Sequence, residues 1–306
     1  MENQNKNRPV TDHDWTIHSI NIHGVFFERW CQSILEARKR WNRILSNYPV
    51  AYTSKHLVKE SALDIRAYTQ VSAIRTTLLI ECKKNNPDFI EWVFFPPNQK
   101  QNTNITFSAL HNVPTDTNTW NTSPTLQGFY FDIPRVDEAR ETRGQYQSIS
   151  NDKRDNKRDK TKTSNSAISE AAYQIALATQ AIHLEEAKFS QNESAAGKAW
   201  QMPWGLQVFL PTIVTSARLF TCEFDPSEVD PASGEIPYGK AKLSEQPYLI
   251  YQYTLPYHLQ NIPERMADRL TLKDIETYLR MNVFVVHSKE FDTFLTDVAE
   301  SLDRHF

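Results

Sequence analysis

The chain has 306 residues, with 40% hydrophobic, 23% charged and 11% aromatic side chains, and 34 Lys plus Arg against 37 Asp plus Glu give a net charge of -3. This describes a globular chain with room for one elaborated domain or two modest ones, and it excludes a polycation, so any nucleic-acid contact has to come from a local basic patch. No apolar run approaches the roughly 18 residues of a membrane-spanning helix. The opening MENQNKNRPVTDHDW lacks the apolar segment of a secretory signal, and Cys31, Cys82 and Cys222 stand far apart in no metal-binding spacing. The expectation is a cytoplasmic protein with no membrane partner, in which residues 1–20 form a polar leader and residues 21–306 a single domain.

After the leader, Phe26, Trp30, Ile34, Ala37, Trp41 and Ile44 recur at helical spacing, which predicts a helix over 24–46, with Asn47-Tyr48-Pro49 as its stop. From residue 50 to 84 the pattern becomes that of strands. Leu63, Ile65 and Ala67 alternate with Asp64 and Arg66, the 70–75 segment suits a hairpin turn, and TTLLIECK (76–83) is a β-branched, apolar run of the kind found in a buried central strand. Residues 89–95 are apolar and aromatic, and the Asn-, Thr- and Pro-rich stretch that follows reads as loop. Residues 135–166 include SNDKRDNKRDKTKTSNS, too poor in apolar groups to order itself, and read as a mobile insertion.

A second helix is predicted over 168–189, with Ile168, Ala172, Ile175, Thr179, Ile182 and Phe189 on one side. Strand-like runs follow at 205–224 (interrupted at Pro211), 248–257 and 282–287. Ser288 then reads as the N-cap of a closing helix carrying Phe291, Phe294, Leu295, Val298 and Leu302. This order of elements implies an α/β fold built on a mixed sheet.

The chemistry concentrates in ESALDIRAYTQVSAIRTTLLIECKK (60–84). Glu81 and Lys83 are two apart on a strand and leave the same face, while Cys82 points with Leu78 and Ile80 toward the core. If the hairpin register brings Asp64 beside Glu81, two carboxylates and an ammonium share one patch, with the Cys82 backbone carbonyl close by. Two carboxylates about 4 Å apart repel by roughly 4 kcal/mol at an effective dielectric near 20, so the patch has to bind a proton, Lys83 or a cation. Oxygen donors of this hardness suit Mg²⁺ or Mn²⁺ far better than zinc.

Asp64, the gap to Glu81, and Glu81-Cys82-Lys83 as an E-x-K triplet resemble the PD-(D/E)XK superfamily of restriction endonuclease-like nucleases, although Leu63 stands where a proline would precede the first acid. The resemblance implies a restriction endonuclease-like mixed central β-sheet flanked by helices, and a Mg²⁺-dependent nuclease in which Mn²⁺ substitutes. Asp64 and Glu81 would ligate the ion together with the Cys82 carbonyl, and Lys83 would stabilise the transition state. An N-terminal helix in that family often adds another Glu. Here HGVFFERW offers Glu28, with Cys31 and Leu35 three and seven residues further on, ahead of its rivals Glu36 and Glu60. The implied substrate is nucleic acid, DNA before RNA, in bacterial restriction, repair or defence, and a homodimer fits double-strand cleavage. The alternative is a catalytically inactive nucleic-acid-binding or assembly protein on the same fold.

Other residues read more plainly. Cys82 is a small buried hydrophobe rather than a nucleophile, and His13, His18 and His23 lie five apart, which suits no zinc site. Lys84, Lys153, Arg154, Lys157 and Arg158 are the candidate phosphate contacts, the last four inside a run of six basic and three acidic residues. Gln174, Gln180 and Tyr173 are first of all helix-face or core residues. Trp92, Phe94 and Phe95 are packing residues before they are a base-stacking platform, and Trp200 and Trp204 are open between core and surface.

Overall fold

A computed structural model describes residues 11–54, 57–72, 74–85, 90–97, 109–111, 133–142, 167–195, 205–260 and 279–305. Two helices lead, α1 (Asp12–Ile22) and α2 (Val25–Glu36), followed by three long strands, β1 (Asn42–Ser54), β2 (Leu57–Val71) and β3 (Ile74–Lys83). Four shorter strands come next: β4 (Glu91–Phe95), β5 (Ala109–His111), β6 (Arg135–Val136) and β7 (Glu138–Thr142). The long helix α3 (Ala167–Ala195) precedes β8 (Leu206–Thr215), β9 (Arg218–Phe224), β10 (Ala241–Gln246), β11 (Tyr248–Thr254) and β12 (Arg280–His287), and α4 (Phe291–His305) closes the chain.

The main sheet runs β1-β2-β3-β8-β12-β11-β6, with β5 added on β8. β1-β2-β3 is an antiparallel meander, β3 and β12 flank β8 in parallel, and β11 is antiparallel to β12, so the sheet is mixed. A second sheet of four strands runs β10-β9-β4-β7. The fold is therefore mixed α/β, a large mixed sheet flanked by helices. Among the described residues no helix is long and apolar enough to cross a membrane.

Both faces of the main sheet are covered, which is why β3 and β8 read as continuous apolar runs rather than alternating ones. One face packs Leu79, Phe209, Ile213 and Val283 against Ile168, Ala172, Ile175 and Ile182 of α3, and Trp92, Phe94 and Leu219 of the second sheet join this core. The other packs Ile65, Leu78, Ile80, Cys82 and Phe284 against Cys31 and Leu35 of α2 and against Phe291, Phe294, Leu295, Val298 and Leu302 of α4. Each large side chain buried this way contributes about 1.5–3 kcal/mol.

Several sequence expectations are corrected. The first helix ends at Glu36, and Trp41 and Ile44 belong to a turn and to β1. The inward stripe of α2 is Cys31 and Leu35, whereas Phe26 and Trp30 are exposed. Part of the expected leader is helical, since α1 begins at Asp12 with a capping box between Thr11 and Asp14. Pro49 is no stop signal: it pairs with Ala62 on β1, an end strand of the sheet order, where a missing N–H is tolerated. Pro211 lies within β8, between the stretch paired to β5 and the stretch paired to β12, where on that edge no ladder bond is lost; the break comes instead at Ser216–Ala217. Residues 135–142 form β6 and β7, so the expected insertion begins too early; its remainder, 143–166, lies outside the described residues. Ser288 opens a single 3-10 turn (Ser288–Glu290) before α4, and Phe189 is exposed on α3.

The β1-β2-β3 hairpins are clamped to α3 by charge. Arg66, 2% exposed on β2, pairs with Glu186 and lies over the rings of Tyr48 at 4.6 Å and Tyr68 at 4.9 Å, while Tyr48 Oη donates to Glu185 at 2.9 Å. Arg75 adds a contact to Glu186 at 3.7 Å. Removing one partner of such a buried pair strands the other charge. Arg66→Met is expected to lower the unfolding free energy by about 3 kcal/mol in urea titration; a loss below about 1 kcal/mol would show that the pair is not needed for folding.

Candidate active site

The site forms where β2 parts from β3. Their ladder runs from Val71–Ile74 to Ile65–Ile80, and one further step of the same register would set Asp64 opposite Glu81. The ladder ends short of that step, while β3 stays paired on its other edge with β8 as far as Lys83–Thr215. Asp64 occupies the gap. Its Oδ2 accepts the Cys82 backbone N–H at 2.6 Å, taking the place of the strand carbonyl that would otherwise have done so. The N–H and C=O of one residue leave an extended strand on the same edge. The Cys82 carbonyl therefore projects along the edge that Asp64 occupies.

The neighbouring pairing breaks at the same level. β1 and β2 are in register at Ser46–Ile65 and Tyr48–Leu63, with the Asn47–Asp64 step left out, and Asn47 adopts a left-handed φ of 49°, a conformation Asn tolerates better than most residues. In consequence Leu63 packs with the α3-side core and Ile65 with the α2-side core. Asp64 thus lies at a twist of the strand, and the simple alternation expected across 63–67 does not hold: both sides of β2 are covered and Arg66 is buried.

Glu81 is only 4% exposed, and its Oε1 accepts from Lys83 Nζ at 3.2 Å. Glu28 arrives from the first turn of α2, where the free amides of a helix N-terminus favour a carboxylate. It is held on the sheet side by the burial of Cys31 and Leu35 below it. α2 starts from Gly24, whose φ of 78° makes the tight corner from α1.

The charges of the four groups act on one another. Burial pushes the Asp64 carboxyl up to about 6; the Cys82 N–H opposes this, the Glu28 charge adds to it, and Lys83 opposes it. Burial likewise pushes Glu81 up to about 8, helped by the Asp64 charge, opposed by the charge and hydrogen bond of Lys83, and helped by Glu28. Three acids and one ammonium thus leave the cluster short of positive charge. Among the described residues, no three acidic, histidine or cysteine side chains are gathered closely enough to hold a metal ion as they stand.

Cys82 is buried with its thiol in hydrogen-bond contact with that of Cys31, and this contact and burial push its pKa well up, against any role as a nucleophile. Glu36 is exposed and accepts from Gln32 at 2.7 Å, and Glu60 is exposed on β2, so neither joins the site. Trp92 and Phe94 are fully buried, which makes them packing residues, and Phe95 sits edge-on to Phe224. Tyr173 Oη meets His258 Nε2 at 3.2 Å. The Lys84 ammonium donates to the Asn21 carbonyl at 2.6 Å. Lys153, Arg154, Lys157 and Arg158, together with Trp200 and Trp204, lie outside the described residues.

Sequence reading missed the buttress at the exit of β3. Ser216, at the end of β8, donates its N–H to the Lys83 carbonyl at 3.3 Å, and its Oγ accepts from Asn85 N at 2.8 Å. No local signal marks Ser216, because its role follows from parallel pairing of β3 with β8, which brings it to Asn85 from 131 residues away. Comparison with protein-family models, curated proteins and solved structures finds no match to this chain.

The raised acids carry a sign. A carboxyl whose folded-state pKa lies above its unfolded value holds extra protons when folded, so its stabilising protonation is complete below the unfolded pKa and lost as pH rises through the folded one. For Glu81 the window runs from about pH 4.5 to about pH 8. Without divalent cation, Tm should fall across that window, and Glu81→Gln should flatten the fall. An unchanged slope in that variant would mean that Glu81 does not titrate in a strained pocket.

Proposed function

We propose that the protein is a divalent-metal-dependent nuclease, cytoplasmic, hydrolysing phosphodiester bonds in DNA on a restriction endonuclease-like sheet. The observation that carries this reading is the convergence of Asp64, Glu81, Lys83 and Glu28 at one break in a β-ladder, with both strand acids pushed upward by burial. A structural ion pair would need one acid for one lysine. The second and third carboxylates add repulsion, and a hard cation would relieve it.

The donor set fits such an ion. Mg²⁺ is bound by one or two carboxylates and keeps several waters, so Asp64, Glu81 and the Cys82 carbonyl would hold it, with Glu28 reached directly or through a water. When bound, the ion would make water a better nucleophile at neutral pH and neutralise charge on the phosphate. Asp64 keeps its carboxylate aimed by accepting the Cys82 N–H. Lys83 shares the Glu81 face, where its ammonium can turn from that carboxylate to the phosphate as negative charge builds. Hydrolysis adds water across one P–O bond and yields a phosphate monoester and a free hydroxyl.

Lys83→Ala should fold as the parent does yet lose Mg²⁺-dependent cleavage of supercoiled plasmid by about 10²-fold or more, with Asp64→Ala as a second inactive control. Cleavage by Lys83→Ala equal to that of the parent would refute the assignment. Running linear, single-stranded and RNA substrates beside the plasmid, with Mn²⁺ and Mg²⁺, identifies the substrate class. Stabilisation by Mg²⁺ with no cleavage of any substrate would instead identify an inactive nucleic-acid-binding protein.

A further inference from the structure

We infer that Lys84 is a positioning residue, which caps the C-terminus of α1 and so fixes the α1–α2 corner that presents Glu28 to the site. This rests on the nuclease reading for its functional consequence, but its geometry stands apart from it.

The last carbonyls of a helix lack intrahelical partners and lie at the negative end of the helix dipole, where a cation is favoured. α1 carries no basic residue in its last turn. Lys84, just past the end of β3, supplies that cation from another element, with Nζ donating at 2.6 Å to the Asn21 carbonyl, which also accepts the Gly24 N–H at 3.3 Å. Two residues beyond Ile22 the chain turns at Gly24 into α2.

The same lysine packs the corner from inside. A Cβ placed on Gly24 would come 3.8 Å from Glu28 Oε1 and 3.9 Å from Lys84 Cβ, so the Glu28 carboxylate and the stem of Lys84 both lie against this glycine. Glu28 is thus located by three things at once: the Gly24 turn that starts its helix, the Cys31 and Leu35 anchors below it, and the Lys84 strap that holds the preceding helix. Lys83 and Lys84, adjacent in sequence, accordingly do different work. Lys83 faces Glu81 inside the site, and Lys84 ties the outer helix to the strand that carries the site.

The test uses the full chain and the variants Lys84→Met, Lys84→Arg, Glu28→Gln and the double variant Glu28→Gln/Lys84→Met. Hydrogen–deuterium exchange, which needs neither metal nor activity, should quicken in Lys84→Met over the last turn of α1 and over residues 24–28, and return toward the parent in Lys84→Arg. Unchanged exchange there would overturn the inference whatever else is measured. Mn²⁺ binding, followed by loss of the free-ion EPR signal, should weaken about tenfold in Lys84→Met, recover in Lys84→Arg, and show no further loss when Lys84→Met is added to Glu28→Gln. Additive losses in the double variant would mean that Lys84 acts independently of Glu28 and would also overturn it. A parent that binds no Mn²⁺, with the exchange result intact, would sink the nuclease reading and leave Lys84 as the strap of the corner.

Discussion

One hydrogen bond organises the candidate site: the Cys82 amide given to Asp64 rather than to a strand carbonyl. An edge amide left without a partner in a buried setting costs about 1–3 kcal/mol, so the point where β2 leaves β3 has to be repaired. Repair by a carboxylate, instead of by continued pairing, opens the edge of β3 and leaves the Cys82 carbonyl in the space on the edge that Asp64 occupies. Continued pairing would have closed that space with backbone. The twist at Asn47 and the change of facing between Leu63 and Ile65 follow from the same divergence.

The acids held there are out of balance with their surroundings. β3 is buried on both faces, and a strand so placed favours apolar side chains throughout. Glu81 breaks that pattern near its end, and Lys83 compensates only one negative charge. Local rules broken without full compensation mark functional sites more often than structural ones. The Arg66–Glu186 clamp, two residues along β2 from Asp64, is the useful contrast. There the buried arginine meets two glutamates and two tyrosine rings and pulls the hairpin onto α3. Both clusters sit on the β2-β3 hairpin, yet only one has an excess of a single sign.

The legible parts of the structure were those decided within a few residues. Period-two spacing put Glu81 and Lys83 on one face and Cys82 on the other, and the packing of Cys82 with Leu78 and Ile80 agrees. The 3.6-residue spacing of α3 and α4 placed their buried residues, with Phe189 the exception. Glu28 comes from the family resemblance, with Cys31 and Leu35 as its semi-apolar flank, and these are the two buried residues of α2. The illegible parts depended on partners far along the chain. Trp41 and Ile44 continue a helical stripe on paper, but each is drawn onto the sheet by its own apolar contact after the helix has ended. Pro49 and Pro211 read as breaks, and both are harmless because of which strand edges are occupied beside them. β10 was missed because its residues are polar and half exposed at the end of the second sheet.

By itself, the order of residues determined which side chains could share a strand face or a helix stripe, because those periods are properties of the backbone. It thereby put Glu81 and Lys83 on one face of β3, with Asp64 on the strand before. Tertiary structure alone decided that they meet, since the register at which β2 abandons β3, the reach of α2 from Gly24, and the support of β3 by Ser216 each depend on contacts between segments distant in sequence. Local spacing carries no information about such pairings, because the free energy that selects them is shared over the whole of two cores.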